Sequence, residues 1–313
     1  PKDEFVALSE VLERLRQRIV RLTVQTNATL LDRPMVRFLK TQFPQLQIGI
    51  SVDGPPDLNA LRVDLKGRSS SVSVAAGLAA CAAEQVDVGV IAVVSKVSLG
   101  QAGRILRYLG QQPAVKVVKF VPCFDTNVRQ EQGPSRRPEI RLLLEQSGNA
   151  VVPWAISPIE YASFLQEAIA VWSAEIGPGR FILEPLVSAL RAIRGTPQSN
   201  CHFGEQKCAH VYTLYPDGAV GSCDELDRRA ATYGKLAEVN ALAAARSHWG
   251  EHLPRDVREL LGMCTSCEVA TACGGGCVAT RRRLHAAGQA DAYCEHRRAL
   301  LNQAVKLATR ESA

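Results

Sequence analysis

The stretch CTSCEVATACGGGC, residues 264–277, contains four of the ten cysteines in a chain of 313 residues. Eight of the ten lie between Cys201 and Cys294, and only Cys81 and Cys123 precede them. The N-terminus alternates charged with apolar side chains and contains no apolar signal-peptide core, so we expect a cytoplasmic protein. In a reducing compartment, cysteines grouped this densely favour a metal site over a framework of disulfides.

The eight late cysteines divide into two sets of four, the number of thiolates that an iron–sulfur cubane or a structural zinc ion takes. Zinc ribbons pair two CxxC knuckles, whereas this chain has one, formed by Cys264 and Cys267. The triple glycine 274–276 suggests backbone N–H groups packed close to an anion, which suits the sulfides of a cluster. The spacing therefore favours iron–sulfur clusters, and zinc remains the alternative.

Residues 1–200 have the pattern of an α/β region. Their apolar runs are rich in Val and Ile without strict polar alternation, which is typical of strands buried on both faces. The predicted strands are 21–26, 47–52, 87–94 and 115–122, and the predicted helices are 5–19, 35–43, 70–85, 99–112, 157–175 and 181–194. This alternation predicts right-handed βαβ units and a parallel sheet. Gly, Thr, Pro, Ser and Asn near 195–201 indicate a boundary with the tail.

The tail after residue 200 has a different pattern. Two β-rich runs over 210–223 flank Pro216-Asp217-Gly218, which predicts a hairpin that ends at Cys223. Short helices are expected to follow, with a last helix over 290–310. The net charge of +6 is modest and the run Arg281-Arg282-Arg283 is interpreted as a solvated helix face, so no nucleic-acid partner is expected. Because no apolar run reaches about 18 residues, we expect a soluble protein without a membrane span.

The cysteine spacing resembles that of a known domain. C-x6-C-x9-G-x4-C, followed by C-x2-C-x5-C-x3-C and a final cysteine, is similar to the SPASM domain of radical SAM enzymes that modify peptides and proteins. Segments that resemble landmarks of anaerobic sulfatase-maturating enzymes and related peptide maturases are QTNATLL (25–31), GISVDGP (49–55), FVPCFD (120–125) and PDGAVGSCD (216–224). The resemblance implies an α/β fold: a partial (β/α)6 radical SAM barrel lacking its first strands over 1–200, then a small cysteine-rich SPASM domain over 201–313 with a β-hairpin and short helices.

The resemblance also implies two auxiliary 4Fe–4S clusters, each held by four cysteines. The ligand sets are Cys201, Cys208, Cys223 and Cys277 for the first cluster, and Cys264, Cys267, Cys273 and Cys294 for the second. The family's CxxxCxxC motif, which holds a third 4Fe–4S cluster and with it S-adenosylmethionine, does not occur in this sequence. A fragment, a segment that precedes residue 1, or a degenerate homologue would each account for this. We expect a missing N-terminal segment that supplies the third cluster.

Polar side chains lie where the predicted strands end, which is where parallel sheets bind ligands. By the resemblance, Ser51 and Arg62 contact S-adenosylmethionine and Asn27 lies close to it. Gln25 and Asp53 are expected to face the substrate cavity. The alternative for each is a strand-end cap or turn residue, as in Asp53-Gly54-Pro55.

One acidic residue and one cysteine outside the two quartets have competing interpretations. The resemblance gives Asp224, directly after Cys223, the role of general base for the substrate radical or its thiol. The alternative is an ordinary helix cap for residues 224–232. Cys123 follows a predicted strand, and we interpret it chiefly as a small buried side chain.

The resemblance implies an oxidoreductase that modifies a side chain of a precursor peptide or protein. A 5′-deoxyadenosyl radical removes a hydrogen atom from the substrate, and the auxiliary clusters accept an electron from the product radical. The product is formylglycine or a cross-link, as in maturation of ribosomal peptides. The implied partners are the precursor peptide or protein and an electron donor such as a flavodoxin or ferredoxin. The alternative is a non-catalytic module, stapled by clusters or zinc, that binds a peptide or partner protein.

Overall fold

The structure of the chain is a computed structural model. It describes residues 10, 21–124, 153–198, 200–204, 208, 211–226, 228–237 and 255–310. The helix predicted over 5–19 lies outside these residues except at residue 10. The chain forms two compact units, Pro1–Cys123 with Phe164–Glu184, and Phe124–Ser163 with Pro185–Ala313. The division into domains at residue 200 stays a prediction.

A parallel sheet of five strands forms the centre of the first unit. The strands are β1 (Leu22–Thr26), β2 (Leu46–Ser51), β3 (Val88–Val94), β4 (Val115–Pro122) and β5 (Ile182–Glu184), and they pair in sequence order. All four pairings are parallel. The predicted parallel sheet is therefore confirmed. Its physical basis is visible in β3, where buried residues alternate with half-buried ones and none is exposed.

Strand β5 replaces the first part of a predicted helix over 181–194. The strand ends at Glu184, and a helix begins two residues later at Leu186. Pro185 separates the two elements because it lacks the N–H that a sheet ladder needs, while its ring fixes a φ that suits the start of a helix. The prediction of one continuous helix was wrong because a strand of three residues carries too little pattern to recognise.

Five helices accompany the sheet or follow it. They are α1 (Arg33–Gln42), α2 (Ser71–Ala83), α3 (Ala102–Gly110), α4 (Pro158–Val171) and α5 (Leu186–Ile193). The division between the units falls inside α4, after Ser163, and α5 belongs to the second unit. Helix α1 shows why the local sequence folds this way: Asp32 Oδ1 accepts the N–H of Met35 at 2.7 Å and so caps the first turn.

The second unit contains a small antiparallel sheet of β6 (Thr213–Leu214), β7 (Ala219–Gly221) and β8 (Thr232–Lys235). The predicted hairpin is confirmed. Its turn closes through a bond from the N–H of Tyr215 to the carbonyl of Ala219 at 2.8 Å, and Gly218 takes the positive φ of 78° that the turn requires.

The remaining helices of the second unit are short except for the last. They are α6 (Arg228–Ala231), α7 (Arg255–Gly262), α8 (Ala270–Cys273), α9 (Val278–Ala286) and α10 (Ala290–Arg310). Helix α10 has the bounds predicted from the sequence. Among the helices that the structure describes, none combines the length and the apolar character that crossing a membrane demands.

Candidate metal centres and active site

Four cysteines that are distant in sequence interact in the second unit. The thiols of Cys208 and Cys223 share a hydrogen bond, which raises the pKa of Cys208 well above its usual value and lowers the pKa of Cys223 to about 7. Burial, together with repulsion from Cys223, Cys277 and Cys201, raises the pKa of Cys208 further. Because neighbouring thiolates repel one another, this first quartet can lose all its protons only when positive charge lies among the sulfurs.

The first quartet lies against a small apolar core, formed by Leu226, Ala231, Val257, Val278 and Ala279. Cys208, Cys223 and Cys277 pack on this core. Cys208 has a φ of +59°, a left-handed conformation that costs a residue with a side chain about 1–2 kcal/mol. The hydroxyl of Ser222 donates to the Cys208 carbonyl at 3.1 Å and helps to hold this conformation. The fold therefore fixes the backbone from which the Cys208 side chain projects.

The other four late cysteines line one cavity. Cys264, Cys267, Cys273 and Cys294 all contribute to its wall, and its volume is about 310 Å³. Tight turns place the first two, because the N–H of Cys264 donates to Leu261 and that of Cys267 to Cys264, each at 3.0 Å. In the part of the chain that the structure describes, no three or more His, Cys, Asp or Glu side chains are arranged to hold one metal ion.

Guanidinium groups meet three sulfurs of this second quartet. Arg281 Nη1 donates to Cys264 Sγ at 2.9 Å, and Arg297 Nε donates to Cys273 Sγ at 3.5 Å. The pKa of Arg298 is raised because its side chain bonds to Cys267. Arg281 and Arg297 are each only 4% exposed. The interpretation of Arg281 as part of a solvated helix face was therefore wrong, because its side chain turns inward to a cysteine.

The triple glycine 274–276 has a geometric reason. The three φ angles are +59°, +75° and +74°, so a side chain at any of them would be strained. A Cβ on Gly274 would lie 2.6 Å from the carbonyl oxygen of Phe203, and one on Gly276 would lie 2.1 Å from the Tyr293 hydroxyl oxygen. The sequence suggested that these N–H groups face an anion. The N–H of Gly274 instead donates to the Ala270 carbonyl at 2.8 Å. Close packing therefore accounts for these glycines.

Replacing Gly276 with alanine is expected to displace Tyr293, whose hydroxyl accepts the N–H of Cys277 at 2.8 Å. Gly288→Ala is the matched control, because Gly288 has a similar φ of +71° and a Cβ there would meet nothing within 4 Å. We expect about 1–2 kcal/mol of destabilisation in the control from backbone strain alone. Gly276→Ala should cost a further 1–3 kcal/mol, about the usual penalty of overpacking. Urea denaturation of both variants measures the difference, and equal losses would contradict the packing.

Two predicted site residues meet at the end of the sheet in the first unit. Gln25 and Ser51 come from the adjacent strands β1 and β2, and Gln25 Nε2 donates to Ser51 Oγ at 3.0 Å. Asn27 follows β1, where its Oδ1 accepts the N–H and the hydroxyl of Thr29 at 3.2 and 2.9 Å. Gly49 lies beneath the pair, and a Cβ there would stand 2.0 Å from Gln25 Oε1. The sheet thus presents a polar edge where its strands end.

The predicted residues Asp53 and Arg62 form an ion pair with each other. Arg62 Nε and Nη2 donate to the two carboxylate oxygens of Asp53 at 2.8 and 2.7 Å. The Asp53 carboxylate also accepts the N–H of Val93 at 2.7 Å, and the N–H of Asp53 donates to Asn59 at 2.9 Å. Asp53 is 7% exposed, so its carboxylate is buried, and it accepts three N–H hydrogen bonds. The sequence had placed each residue in the site without predicting this pairing.

Asp224 is exposed, and the Cys223 thiol points to its Oδ1 at 3.8 Å. Helix α6 begins at Arg228, so Asp224 does not lie at the first turn of that helix. Cys123 is half-buried and extends the pairing of β4 with β3, because its N–H donates to Val94 at 2.9 Å. Cys81 lies in α2, where burial raises its pKa to about 11, which is typical of an inert thiol.

The arginines around the second quartet were not predicted as site residues. A sequence signal for them does exist, since Arg297 and Arg298 follow Cys294 by three and four residues in α10, and Arg281 follows Cys277 by four. Such spacings place side chains on one helix face. The spacings do not show whether that face is turned toward the core or toward solvent. For this reason the sequence did not reveal that Arg281 is buried.

These elements define an α/β protein with a sequential parallel sheet and a cysteine-rich unit built on an antiparallel hairpin. A scan against protein-family profiles finds no match for the chain. Searches of individual proteins do find relatives. The chain is 23% identical over 268 residues to a cysteine-type anaerobic sulfatase-maturating enzyme of Clostridium novyi (strain NT). It is 24% identical over 269 residues to a serine-type anaerobic sulfatase-maturating enzyme of Klebsiella aerogenes.

These alignments cover 82% and 85% of this chain but 63% and 59% of the relatives. The chain thus spans about three fifths of the length of the curated relatives it matches. Among solved structures, it is similar to native anSMEcpe with bound AdoMet, with a TM-score of 0.75, 18% identity and coverage of 99% of this chain and 82% of that one. The same enzyme with AdoMet and the Cp18Cys peptide gives a TM-score of 0.74, 19% identity and coverage of 98% and 82%. The predicted similarity to radical SAM sulfatase-maturating enzymes is confirmed, and so is the fold.

Proposed function

We propose that the protein is a radical SAM enzyme that oxidises a side chain of a peptide or protein. One observation carries the proposal: the eight late cysteines fall into two sets of four, one interacting around Cys208 and one lining a single cavity. The two sets match the ligand quartets expected from the resemblance. Relatives that are radical SAM maturases support the same class of reaction for this chain.

The residues of the second quartet fit a 4Fe–4S cluster. The cavity of the second quartet, about 310 Å³, has room for a group larger than a zinc ion. A zinc ion needs less space, because it holds its four sulfur ligands at about 2.3 Å. Guanidinium donors beside the sulfurs suit an anionic cluster, whose thiolates accept hydrogen bonds. We therefore assign one auxiliary cluster to each quartet. Such clusters, when bound, accept and release single electrons.

We assign S-adenosylmethionine to the polar edge formed by the ends of β1 and β2. Ser51 and Gln25 offer hydroxyl and amide groups there, and Asn27 lies exposed beside them. The guanidinium of Arg62 suits the carboxylate of the cofactor, and in this assignment Asp53 orients Arg62 through its two hydrogen bonds. The AdoMet named in the titles of the similar structures supports this assignment.

Asp224 is the residue we propose as general base. It is exposed and lies next to Cys223, so a substrate proton has access to its carboxylate. Asp224 would take the proton that the oxidised side chain releases.

The substrate partner in this proposal is a precursor peptide or protein, which the Cp18Cys peptide of a similar structure supports. An electron donor such as a flavodoxin or ferredoxin would supply the reducing equivalents. The cytoplasm remains the proposed compartment, because eight cysteines kept reduced are available to clusters.

Replacing Gly49 with alanine is expected to weaken the binding of S-adenosylmethionine at least tenfold, because the new Cβ would expel Gln25 from its bond to Ser51. Gly89→Ala is the matched control. Gly89 is the β3 residue that pairs with Gly49, and a Cβ there would have its nearest neighbour at an ordinary 3.9 Å. Equilibrium dialysis with labelled S-adenosylmethionine measures both variants. Equal affinity in the two would place the cofactor elsewhere.

The reaction itself is tested on anaerobically purified, reduced protein produced together with the expected CxxxCxxC segment, and given S-adenosylmethionine and a peptide that contains Cys or Ser. We expect 5′-deoxyadenosine and an oxidised peptide, with Asp224→Asn forming 5′-deoxyadenosine but little oxidised peptide. The variant Asp217→Asn is the control, since Asp217 lies in the hairpin turn and pairs with Arg228 at 2.6 Å. A protein that binds the peptide and never cleaves the cofactor would instead favour the non-catalytic module.

A further inference from the structure

The second quartet is surrounded by positive charge. Arg281, Arg297 and Arg298 each face a different cysteine of the cavity, namely Cys264, Cys273 and Cys267. We propose that these three arginines make the group held by the second quartet easier to reduce, so that it is the electron sink of the protein. This inference rests on the proposed function, because it takes that group to be an iron–sulfur cluster.

Burial is the first argument that the arginines serve an anion in the cavity. Arg281 and Arg297 are each 4% exposed, and among the described residues neither forms an ion pair with a carboxylate. An unpaired buried guanidinium is costly, so a protein that keeps two of them beside one cavity needs negative charge inside it. The acidic side chains on the cavity wall, Asp291 and Glu295, are themselves exposed and face water.

The surroundings of Arg297 show that its position is fixed. Its Nη2 donates to the Cys273 carbonyl at 2.9 Å, and its guanidinium lies 4.2 Å from the ring centroid of Phe203. These contacts hold Nε toward the Cys273 sulfur. A preorganised cation of this kind acts on the charge in the cavity without having to move.

The first quartet has acidic neighbours. Asp224 and Glu225 follow Cys223 directly and are both exposed, and Arg283 pairs with Glu225 at 2.9 Å. Adding an electron makes a cluster more negative, which nearby cations favour and nearby anions oppose. The arginines beside the second quartet would therefore make a cluster held there the easier one to reduce. Accepting one electron there would make and break no bond in the chain.

The test is a redox titration with dithionite of the protein carrying both clusters, followed by electron paramagnetic resonance. Arg281→Gln and Arg297→Gln are each expected to lower the equilibrium constant for reducing one cluster at least tenfold, about 59 mV per factor of ten, and to leave the other cluster unchanged. Arg281→Lys keeps the charge and should recover most of the loss. Arg258→Gln is the control, because Arg258 is exposed in α7, and we expect no shift.

Because Arg298 is exposed, Arg298→Gln is expected to fold normally. It should lower the equilibrium constant for reducing the same cluster about threefold. If Arg281→Gln and Arg297→Gln do not accumulate, the Arg298→Gln result decides. Unchanged constants in the variants that retain both clusters would overturn the inference while leaving the proposed function intact. Protein without iron would instead refute the proposed function, and a loss matched by Arg258→Gln would reduce the effect to net charge and also overturn the inference.

Discussion

Cys277→Ala is expected to lower the iron content of anaerobically purified protein from about eight to about four atoms per chain and to make the tail sensitive to protease. Cys277 follows the cysteines of the second quartet closely, yet it interacts with Cys208 of the first. In the proposed assignment it closes a loop of 77 residues that begins at Cys201. The entropy of closing such a loop is worth about 4–5 kcal/mol, so the loss of this ligand affects folding as well as iron.

Two further variants make this result specific. Cys294→Ala should remove the other four or so irons, because Cys294 lines the cavity of the second quartet. Cys81→Ala should keep all of them, because Cys81 is buried in α2, outside both quartets. Iron and acid-labile sulfide analysis, with limited proteolysis of the same samples, measures the three variants. Full iron retention in Cys277→Ala would show that the first quartet is wrongly assigned.

Arg62→Ala is expected to lower the free energy of unfolding by about 3–5 kcal/mol, as is usual when one partner of a buried ion pair is removed. The Asp53 side chain is 10% exposed and would lose two of its three N–H donors. The free energy of unfolding of Arg62→Lys should lie between those of the unaltered protein and Arg62→Ala. Lysine keeps the charge but lacks the planar fork that binds both oxygens. Urea denaturation followed by tryptophan fluorescence gives the free energies.

The control for this prediction is a second Arg–Asp pair in the same loop. Arg68 pairs with Asp64 at 2.7 Å, but the two side chains are 72% and 36% exposed. Exposed pairs contribute about 0–1 kcal/mol, so Arg68→Ala should have little effect. Similar losses in Arg62→Ala and Arg68→Ala would mean that burial does not set the value of the Asp53 pair.

The sequence was sufficient for those elements whose local pattern and tertiary role agree. The Val-rich runs of β3 and β4 predicted buried parallel strands, and Pro216-Asp217-Gly218 predicted the hairpin turn. Strand β5 was missed because three residues before Pro185 have no measurable period. Its existence depends on pairing with β4, which is a tertiary fact.

The grouping of the late cysteines was predictable from the sequence, but the residues that surround them were not. The spacing of the eight late cysteines predicts the two quartets, because few other roles require eight thiols in one tail. The inward turn of Arg281 and the pairing of Asp53 with Arg62 depend on which groups the fold brings near a charge. A charged side chain is buried only where such a partner exists, and sequence distance does not reveal the partner.

The most direct test of the account is the metal content of the unaltered protein, purified without oxygen and analysed for iron, sulfide and zinc together. We predict about eight iron and eight sulfide per chain, no zinc above background, and a signal from two 4Fe–4S clusters after reduction. Zinc at about two per chain with no sulfide, or cysteines joined to one another as disulfides, would contradict the assignment of the two quartets.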